Sequence, residues 1–173
     1  MQSATLRRTR SSIMSLLRGL LGGAAAGAAG TTALNAVSYL EMAVKGRPAS
    51  TTPQDTVEKF AHVAQLTIAG SDEVRKNRIA GIGPLTGLVV GVGVGALLGL
   101  SRSAGWRPGP VVSGMAATVG ALIGGNVPMT VLKVTDPRTW TAKDWASDIA
   151  PHLAYGVVVA ATLWGLGRHG TSR

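Results

Sequence analysis

Residues 79–100 read IAGIGPLTGLVVGVGVGALLGL and contain no charged side chain. An α-helix rises about 1.5 Å per residue, so a run of this length can cross the roughly 30 Å hydrocarbon core of a bilayer. The run is built from Gly, Val and Leu, with few of the large residues that fill a soluble core. It therefore predicts a membrane-spanning helix and decides the class of the whole fold.

Three further apolar runs have the same character. They cover about residues 19–44, 111–132 and 149–167. Four such runs predict an all-α polytopic membrane protein, with four transmembrane helices in a single membrane domain over residues 1–173. A short basic tail, residues 1–12, precedes the first run.

The composition agrees with a membrane protein and favours some binding partners over others. The chain is 46% hydrophobic and only 14% charged, with a formal net charge of +9. The basic residues lie in tails and loops beside the apolar runs, which favours contact with a lipid bilayer over nucleic acid. The chain has no cysteine, which excludes disulfides and thiolate metal sites. Arg outnumbers Lys by twelve to five, which is typical of a GC-rich bacterial genome and points to the cytoplasmic membrane.

The first loop is long enough to hold a helix of its own, at about residues 53–69. Thr52 is the expected N-cap, Pro53 suits the first helical position, and Asp55 lies near the positive end of the helix dipole. Apolar residues recur at helical spacing after them, so we expect a short amphipathic helix at the membrane interface.

Aromatic residues near the run ends support these boundaries, because Trp and Tyr collect at bilayer interfaces. They are Tyr39, Trp106, Trp140, Trp145, Tyr155 and Trp164. Basic residues divide eight against nine between the two membrane faces, so the positive-inside rule gives a tie. We expect cytoplasmic termini because the first helix follows a dense basic tail.

Glycines four residues apart form ridges on the first two predicted spans. They are Gly19, Gly23 and Gly27 in the first span, and Gly83, Gly87, Gly91, Gly95 and Gly99 in the second. Small residues on one ridge let helix backbones approach closely in lipid. The ridges therefore predict that these two helices pair, and they are a possible surface for a homo-oligomer. The alternative is that GC-rich coding alone enriches Gly and Ala.

Two segments, residues 48–62 and 137–152, share a pattern that ends with an acid four residues before a histidine. The matched residues are Pro48, Thr52, Asp55, Glu58 and His62 in the first, and Pro137, Thr141, Asp144, Asp148 and His152 in the second. The pattern is typical of a duplication that would place both segments on one membrane face. Chance is the alternative, because the shared residues are common in turns and caps.

A carboxylate and an imidazole four residues apart share one helix face. The first interpretation is an ordinary helix start, in which the His152 side chain extends to the membrane interface. The functional one is a polar site for protons or a small solute, since polar groups inside a membrane bundle are costly and often functional. Its candidate residues are Asp148, His152, Tyr155, Asn126, Glu41, Glu58 and His62. A divalent metal held by His62, His152, Glu58 and Asp148 is a third alternative, although the spacing does not require a metal or any cofactor.

Catalysis is not indicated. The chain holds no Ser-His-Asp order at useful spacing and no H-E-x-x-H. Residues 91–96 fit G-x-G-x-x-A, but no soluble strand precedes them and no acid follows about 20 residues on, so a dinucleotide site is excluded. The sequence favours a structural or interaction protein of the membrane, and the alternative is a small transporter or proton-linked permeation unit that uses Asp148 and His152.

The pattern resembles small uncharacterised bacterial inner-membrane proteins of the YagU-like group. The similarity lies in the first apolar run, GLLGGAAAGAAGTTALNAV at residues 19–37, in the Pro-containing loop, and in HLAYG at residues 152–156. This resemblance implies a four-helix membrane protein.

Overall fold

The structure, a computed structural model, describes residues 2–169, and it describes side chains at residue 10 and at residues 12–166. Within that part of the chain every regular element is helical. The elements are α1 (Gln2–Lys45), α2 (Thr52–Val63), α3 (Asp72–Ser103), α4 (Pro110–Val131), a 3₁₀ turn (Pro137–Thr139) and α5 (Ala142–His169). The predicted all-α fold is confirmed, and four of the helices are long and apolar enough to span a membrane.

The first helix is much longer than its apolar run. α1 begins at Gln2, so the basic tail continues into the span as helix. Residues 2–18 contain neither Gly nor Pro, and nothing in them interrupts the hydrogen-bond ladder. In the same way α3 begins at Asp72, where Ser71 caps it by accepting a hydrogen bond from the backbone N–H of Val74.

The helix in the first loop is shorter than expected, because α2 ends at Val63 instead of near residue 69. Gln65 takes a left-handed backbone with φ of 54°, and the N–H of Leu66 donates back to the carbonyl of Ala61 at 2.8 Å. This is a helix C-terminus made without glycine, so the sequence carried no stop signal. At the other end the N-cap is Thr51, with Thr52 as the first helical residue.

The four long helices form a closed ring in which α1 contacts α3, α3 contacts α4, α4 contacts α5 and α5 contacts α1. Successive long helices run antiparallel. We call the end that carries residues 46–71 and 132–141 the loop end, and the end that carries residues 104–109 the turn end. α2 lies at the loop end against α3, where Gly83 packs beside Pro53 and Gln54.

The α1–α3 interface is a contact of backbone on backbone. A Cβ built on Gly95 would lie 2.5 Å from the Cα of Gly27, and one built on Gly99 would lie 2.8 Å from the Cα of Gly23. Such distances are too short for any side chain, so only glycine fits there. At the turn end the same pair is tied by the Ser103 hydroxyl, which donates to the carbonyl of Ser15 at 3.1 Å.

Small residues also bring α4 and α5 together. A Cβ on Gly156 of α5 would collide with Thr118 and with the carbonyl of Gly114, both on α4. α3 uses larger residues against α4, since the Val90 and Val94 side chains fill the spaces above Gly124 and Gly120. Two of the four interfaces of the ring, α1–α3 and α4–α5, are therefore glycine contacts, while at α3–α4 larger side chains pack against glycine.

The core lies along α5. Its members are Ala26, Ala117, Ala121, Tyr155, Val159 and Leu163, all buried, with Leu34, Val94 and Leu98 packed against them. The outer surface is apolar as well, as shown by Val44, Val89 and Val157, which are 77%, 70% and 66% exposed. Helices that are apolar on every face are what a bilayer requires. The described chain thus has the make-up of a multi-pass membrane protein.

Candidate functional site

Asp148, His152 and Asn126 meet at the loop end, between α4 and α5. The Asn126 side-chain amide donates to Asp148 Oδ2 at 2.9 Å. His152 Nδ1 lies 2.7 Å from the backbone carbonyl of Asp148 and 3.6 Å from its Oδ1. The Asp148 and His152 side chains are only 17% and 15% exposed. We call these three residues the α4–α5 polar site.

The geometry of the α4–α5 polar site fixes the histidine tautomer. A carbonyl oxygen can only accept, so Nδ1 of His152 carries the hydrogen that bonds to Asp148 O. In the neutral ring Nε2 is then the acceptor, and it lies toward α4 at Gly125. The side-chain oxygen of Asn126 is buried and has no hydrogen-bond partner among the described residues. The site therefore presents two unused acceptors beside a carboxylate.

Glu41 belongs to a neighbouring cluster that ties the end of α1 to the start of α5. Its Oε1 accepts from Lys45 and from the Ser147 hydroxyl, the latter at 2.6 Å, and its Oε2 accepts from Arg47 at 2.6 Å. The Glu41 side chain is only 15% exposed, and a buried charge needs partners. Two cations at the same end of the bundle, Lys45 and Arg47, compensate it. Since Ser147 precedes Asp148, this Glu41 cluster and the α4–α5 polar site adjoin along α5.

Tyr155 does not share these contacts, although it lies on the same face of α5 as Asp148. Its ring is fully buried in the core, and its hydroxyl donates to the carbonyl of Gly91 on α3 at 2.6 Å. α1 passes so close to this ring that a Cβ on Gly30 would lie 2.7 Å from it. Tyr155 therefore joins three helices and is no part of an aromatic belt.

Glu58 and His62 lie elsewhere, on α2. They line an open groove of about 340 Å³ together with Asp55, Lys59 and Arg75. Glu58 pairs with Arg75 of α3 at 2.8 Å, and both side chains are more than 40% exposed. An exposed pair of this kind contributes little to stability. The groove is a separate surface from the α4–α5 polar site.

The two similar segments therefore fold differently. Thr141 and Asp144 form a capping box at the start of α5, because Asp144 accepts from the Thr141 N–H at 2.9 Å and the Thr141 hydroxyl faces the Asp144 N–H. In the first segment the Thr51 hydroxyl donates to the Asp55 carboxylate instead. Thr52, which the sequence pattern matches to Thr141, is the first helical residue and not the N-cap. The duplication stays a prediction, and the matched Asp144 is explained by helix capping.

In the loop before α5, Asp136 caps the 3₁₀ turn and pairs with Arg138 at 3.0 Å. The hydrogen bonds from Arg138 hold the pKa of the Asp136 carboxyl below its usual value. This pair shapes the loop that leads into the capping box and the α4–α5 polar site.

A metal centre finds no support in the geometry. Among the described residues no group of three or more His, Asp or Glu side chains is placed to hold a metal ion. His62 lies in the α2 groove, while His152 faces α4, so the four-residue ligand set considered from the sequence is divided between two surfaces.

The roles of several residues were not predicted from the sequence. Ser147 and Arg47 complete the Glu41 cluster, but the contact between Glu41 and Ser147 spans 106 positions and has no local signature. Gly114, Thr118 and Gly156 close the α4–α5 contact. The small residues Gly114 and Thr118 stand four apart, as do Gly156 and Ala160, so this spacing was a readable signal.

Comparison of the chain with protein-family models, with curated proteins and with solved structures gave no match. The resemblance to YagU-like membrane proteins therefore rests on the sequence patterns alone.

Proposed function

We propose that this chain is a structural or interaction component of the bacterial cytoplasmic membrane, and that it is not an enzyme. Four apolar helices with an apolar outer surface support residence in a bilayer. The bacterial assignment rests on composition, through the excess of Arg over Lys.

One observation favours a structural role over transport. The core is packed directly inward of the α4–α5 polar site. Tyr155 lies less than one turn from His152, and Val159 and Leu163 follow at spacings of four. All three are buried, and the Tyr155 hydroxyl is held by the Gly91 carbonyl. A core packed in this way lies directly inward of the α4–α5 polar site, which favours a static bundle over a pathway.

The loop end is the surface that we assign to a partner. The Glu41 cluster fixes the ends of α1 and α5 to each other, and α2 covers α3 beside it. These contacts give the loop end a defined shape and a mixed charge pattern, as the polar rim of a protein interface requires.

The test is a flux measurement on the purified chain in sealed proteoliposomes that contain a pH-sensitive dye. We expect the rate of proton entry under an imposed pH gradient to equal that of empty liposomes. The control is the Asp148→Asn chain, which should give the same rate. A proton flux in the parent chain that this variant abolishes would overturn the structural role.

The second candidate, a small transporter or proton-linked permeation unit, has its own supporting observation. The Asp148 carboxylate, an imidazole and an amide lie together, half-buried, with two acceptors unused. Such a group at the mouth of a membrane bundle could bind a proton or a small cation. The candidate requires that His152→Ala and Asp148→Asn change flux or its pH response.

Membrane orientation and assembly complete the proposal. We assign the termini to the cytoplasm, following the basic start of α1.

In a homo-oligomer the contact surface between copies would be the open side of α3 at Gly87, because Gly91, Gly95 and Gly99 already face α1 or its neighbours within one chain. A Cβ on Gly87 meets no atom within 4 Å. Gly87→Leu should therefore reduce oligomer size in detergent without unfolding the chain.

A further inference from the structure

Asn35 carries an amide side chain in the part of α1 that is apolar enough to cross a membrane. It lies within residues 19–40, which contain no charged residue, and six residues before Glu41. Asn35 is therefore about 9 Å inward of the charged groups of the loop end. The residue is exposed, and its side chain makes no hydrogen bond with any described residue. Water would satisfy such an amide, but the hydrocarbon of a bilayer cannot.

Other exposed polar side chains on the spans satisfy themselves within their own helix. The Thr32 hydroxyl donates to the carbonyl of Ala28 at 3.0 Å, and the Ser101 hydroxyl donates to the carbonyl of Leu97 at 2.9 Å. A hydroxyl bonded to the carbonyl one turn back needs no partner outside its helix. The Asn35 amide offers two N–H donors and an oxygen acceptor, and none of them is used within the described chain. Asn35 therefore needs a partner from outside the chain.

The exposed face of α1 around Asn35 is made of small residues. Its exposed members between residues 24 and 36 are Ala25, Ala28, Thr32, Asn35 and Ala36. Spacings of three and four residues place them along one side of the helix. The other spans expose larger side chains, such as Val89, Ile123 and Val157, which are 70%, 56% and 66% exposed. A face of small residues lets the backbone of another helix approach closely in lipid.

This face of α1 borders the place where α1 and α3 separate. Thr31 packs on Gly91 of α3, and one turn nearer the loop end the next positions on the two ridges are Asn35 and Gly87. A Cβ on Gly87 would meet no atom within 4 Å, so α1 does not reach it. Residues 84–89 of α3 are all exposed, and six residues cover every side of a helix. The separation leaves room for another helix beside Asn35.

We propose that Asn35 is the centre of a contact between two copies of this chain, in which their α1 helices cross and the two Asn35 amides hydrogen-bond to each other. This contact rests on the proposed homo-oligomer and gives it a specific polar centre. A second copy fits because an amide is complementary to itself, so that around a two-fold axis each donor meets the other copy's acceptor. A single Asn in an apolar helix seam fixes register and the number of helices in the same way.

A lipid headgroup fits Asn35 less well than a second copy does. Headgroups lie at the level of the charged loop-end residues, and the Asn side chain is too short to cross the distance from Asn35 to Glu41. Acyl chains at the level of Asn35 offer no hydrogen-bond partner. The partner of this amide is therefore a polar group on another helix.

The experiment uses the full chain with Thr32→Cys, one turn before Asn35 on the exposed face of α1, in phosphatidylcholine liposomes. The native chain has no cysteine, so any disulfide joins two copies. Under copper-phenanthroline oxidation we expect a dimer of twice the 17.6 kDa chain mass on a non-reducing gel. The matched control is Val157→Cys, which lies on the exposed face of α5 and should stay monomeric.

Two substitutions in the Thr32→Cys chain test the amide itself. Asn35→Leu removes the donors and the acceptor and should lower the cross-linked fraction, whereas Asn35→Gln keeps an amide and should retain most of it. With fluorophores at Ala49→Cys instead, energy transfer between copies should show that Asn35→Leu needs a roughly tenfold higher protein density in lipid for half-association. Because Asn35 makes no hydrogen bond within the described chain, neither substitution should change the helical circular dichroism.

Each outcome separates the Asn35 contact from the wider proposal. If Thr32→Cys and Val157→Cys cross-link equally, the copies collide at random and the contact is refuted. If Asn35→Leu leaves cross-linking and association unchanged, the Asn35 contact fails alone, while the homo-oligomer at Gly87 stands. If the chain with Asn35 intact shows no association at any density, the contact and the homo-oligomer both fall, and the structural role is then judged by the proton-flux measurement.

Discussion

The substitution Gly95→Ala should break a close backbone contact between α1 and α3. The new Cβ would lie 2.5 Å from the Cα of Gly27 and 2.6 Å from its backbone nitrogen, whereas ordinary contacts begin at 3.4 Å. Both atoms are backbone and cannot rotate away, so α1 and α3 must part by about 1 Å. A gap of that size forfeits a quarter to a half of the local van der Waals attraction along the interface.

Overpacking of this kind costs about 1–3 kcal/mol of unfolding free energy. Alanine also favours a helix over glycine by about 1 kcal/mol, which offsets part of that loss. Gly93→Ala is the matched control, because it lies on the same helix, two residues away, and its Cβ would meet no atom within 4 Å. Gly93→Ala should be neutral or stabilising by up to about 1 kcal/mol.

The assay is reversible unfolding by sodium dodecyl sulfate in mixed micelles, followed by the fluorescence of the native tryptophans. The difference between the two alanine variants isolates the packing cost, and we expect Gly95→Ala to be the less stable by about 1–3 kcal/mol. Equal unfolding free energies for the two variants would refute the backbone contact between α1 and α3.

Three further substitutions test the contacts of the core and of the loop end. Tyr155→Phe removes the hydrogen bond to the Gly91 carbonyl and should cost about 1 kcal/mol in the same unfolding assay, with no loss meaning that the hydroxyl is not bonded in the bilayer. Asn126→Ala removes a donor to the half-buried Asp148 carboxylate and should cost about 1.5–3 kcal/mol, and this cost should shrink in the Asp148→Asn background if the two residues interact. Glu41→Gln should destabilise the chain by about 1–3 kcal/mol, while Glu58→Gln, which breaks one exposed pair, should cost less than about 1 kcal/mol. Equal losses for these two glutamates would contradict the central place given to Glu41.

The spans were predictable because a long apolar run leaves few alternatives in either length or environment. The ridges were predictable only in part. A row of residues four apart turns about 40° around the helix at each step. Gly91, Gly95 and Gly99 therefore face α1 or its neighbours, whereas Gly87 has rotated into the open and Gly83 meets α2. The regular spacing in the sequence does not reveal where two straight helices diverge.

The α4–α5 polar site was also predictable only in part. Asp148 and His152 share a helix face, and Asn126 sits at the matching depth of α4, so their meeting follows from helical geometry. Tyr155 shares that face too, but it lies seven residues from Asp148 and so about 10 Å deeper along α5. At that depth the core, rather than the site, surrounds it. Ser147 and Arg47 depended on how two loops close over the bundle, which no local pattern encodes.

The central claim is a four-span bundle with residues 46–71 and 132–141 at one end and residues 104–109 at the other. The native chain has no cysteine, so single cysteines can be placed at the exposed alanines Ala49, Ala104 and Ala142. In sealed right-side-out vesicles, a membrane-impermeant maleimide should label Ala49→Cys and Ala142→Cys from the same side, and Ala104→Cys only from the opposite side. Labelling of Ala104→Cys from the side that reaches Ala49→Cys would contradict the four-span bundle.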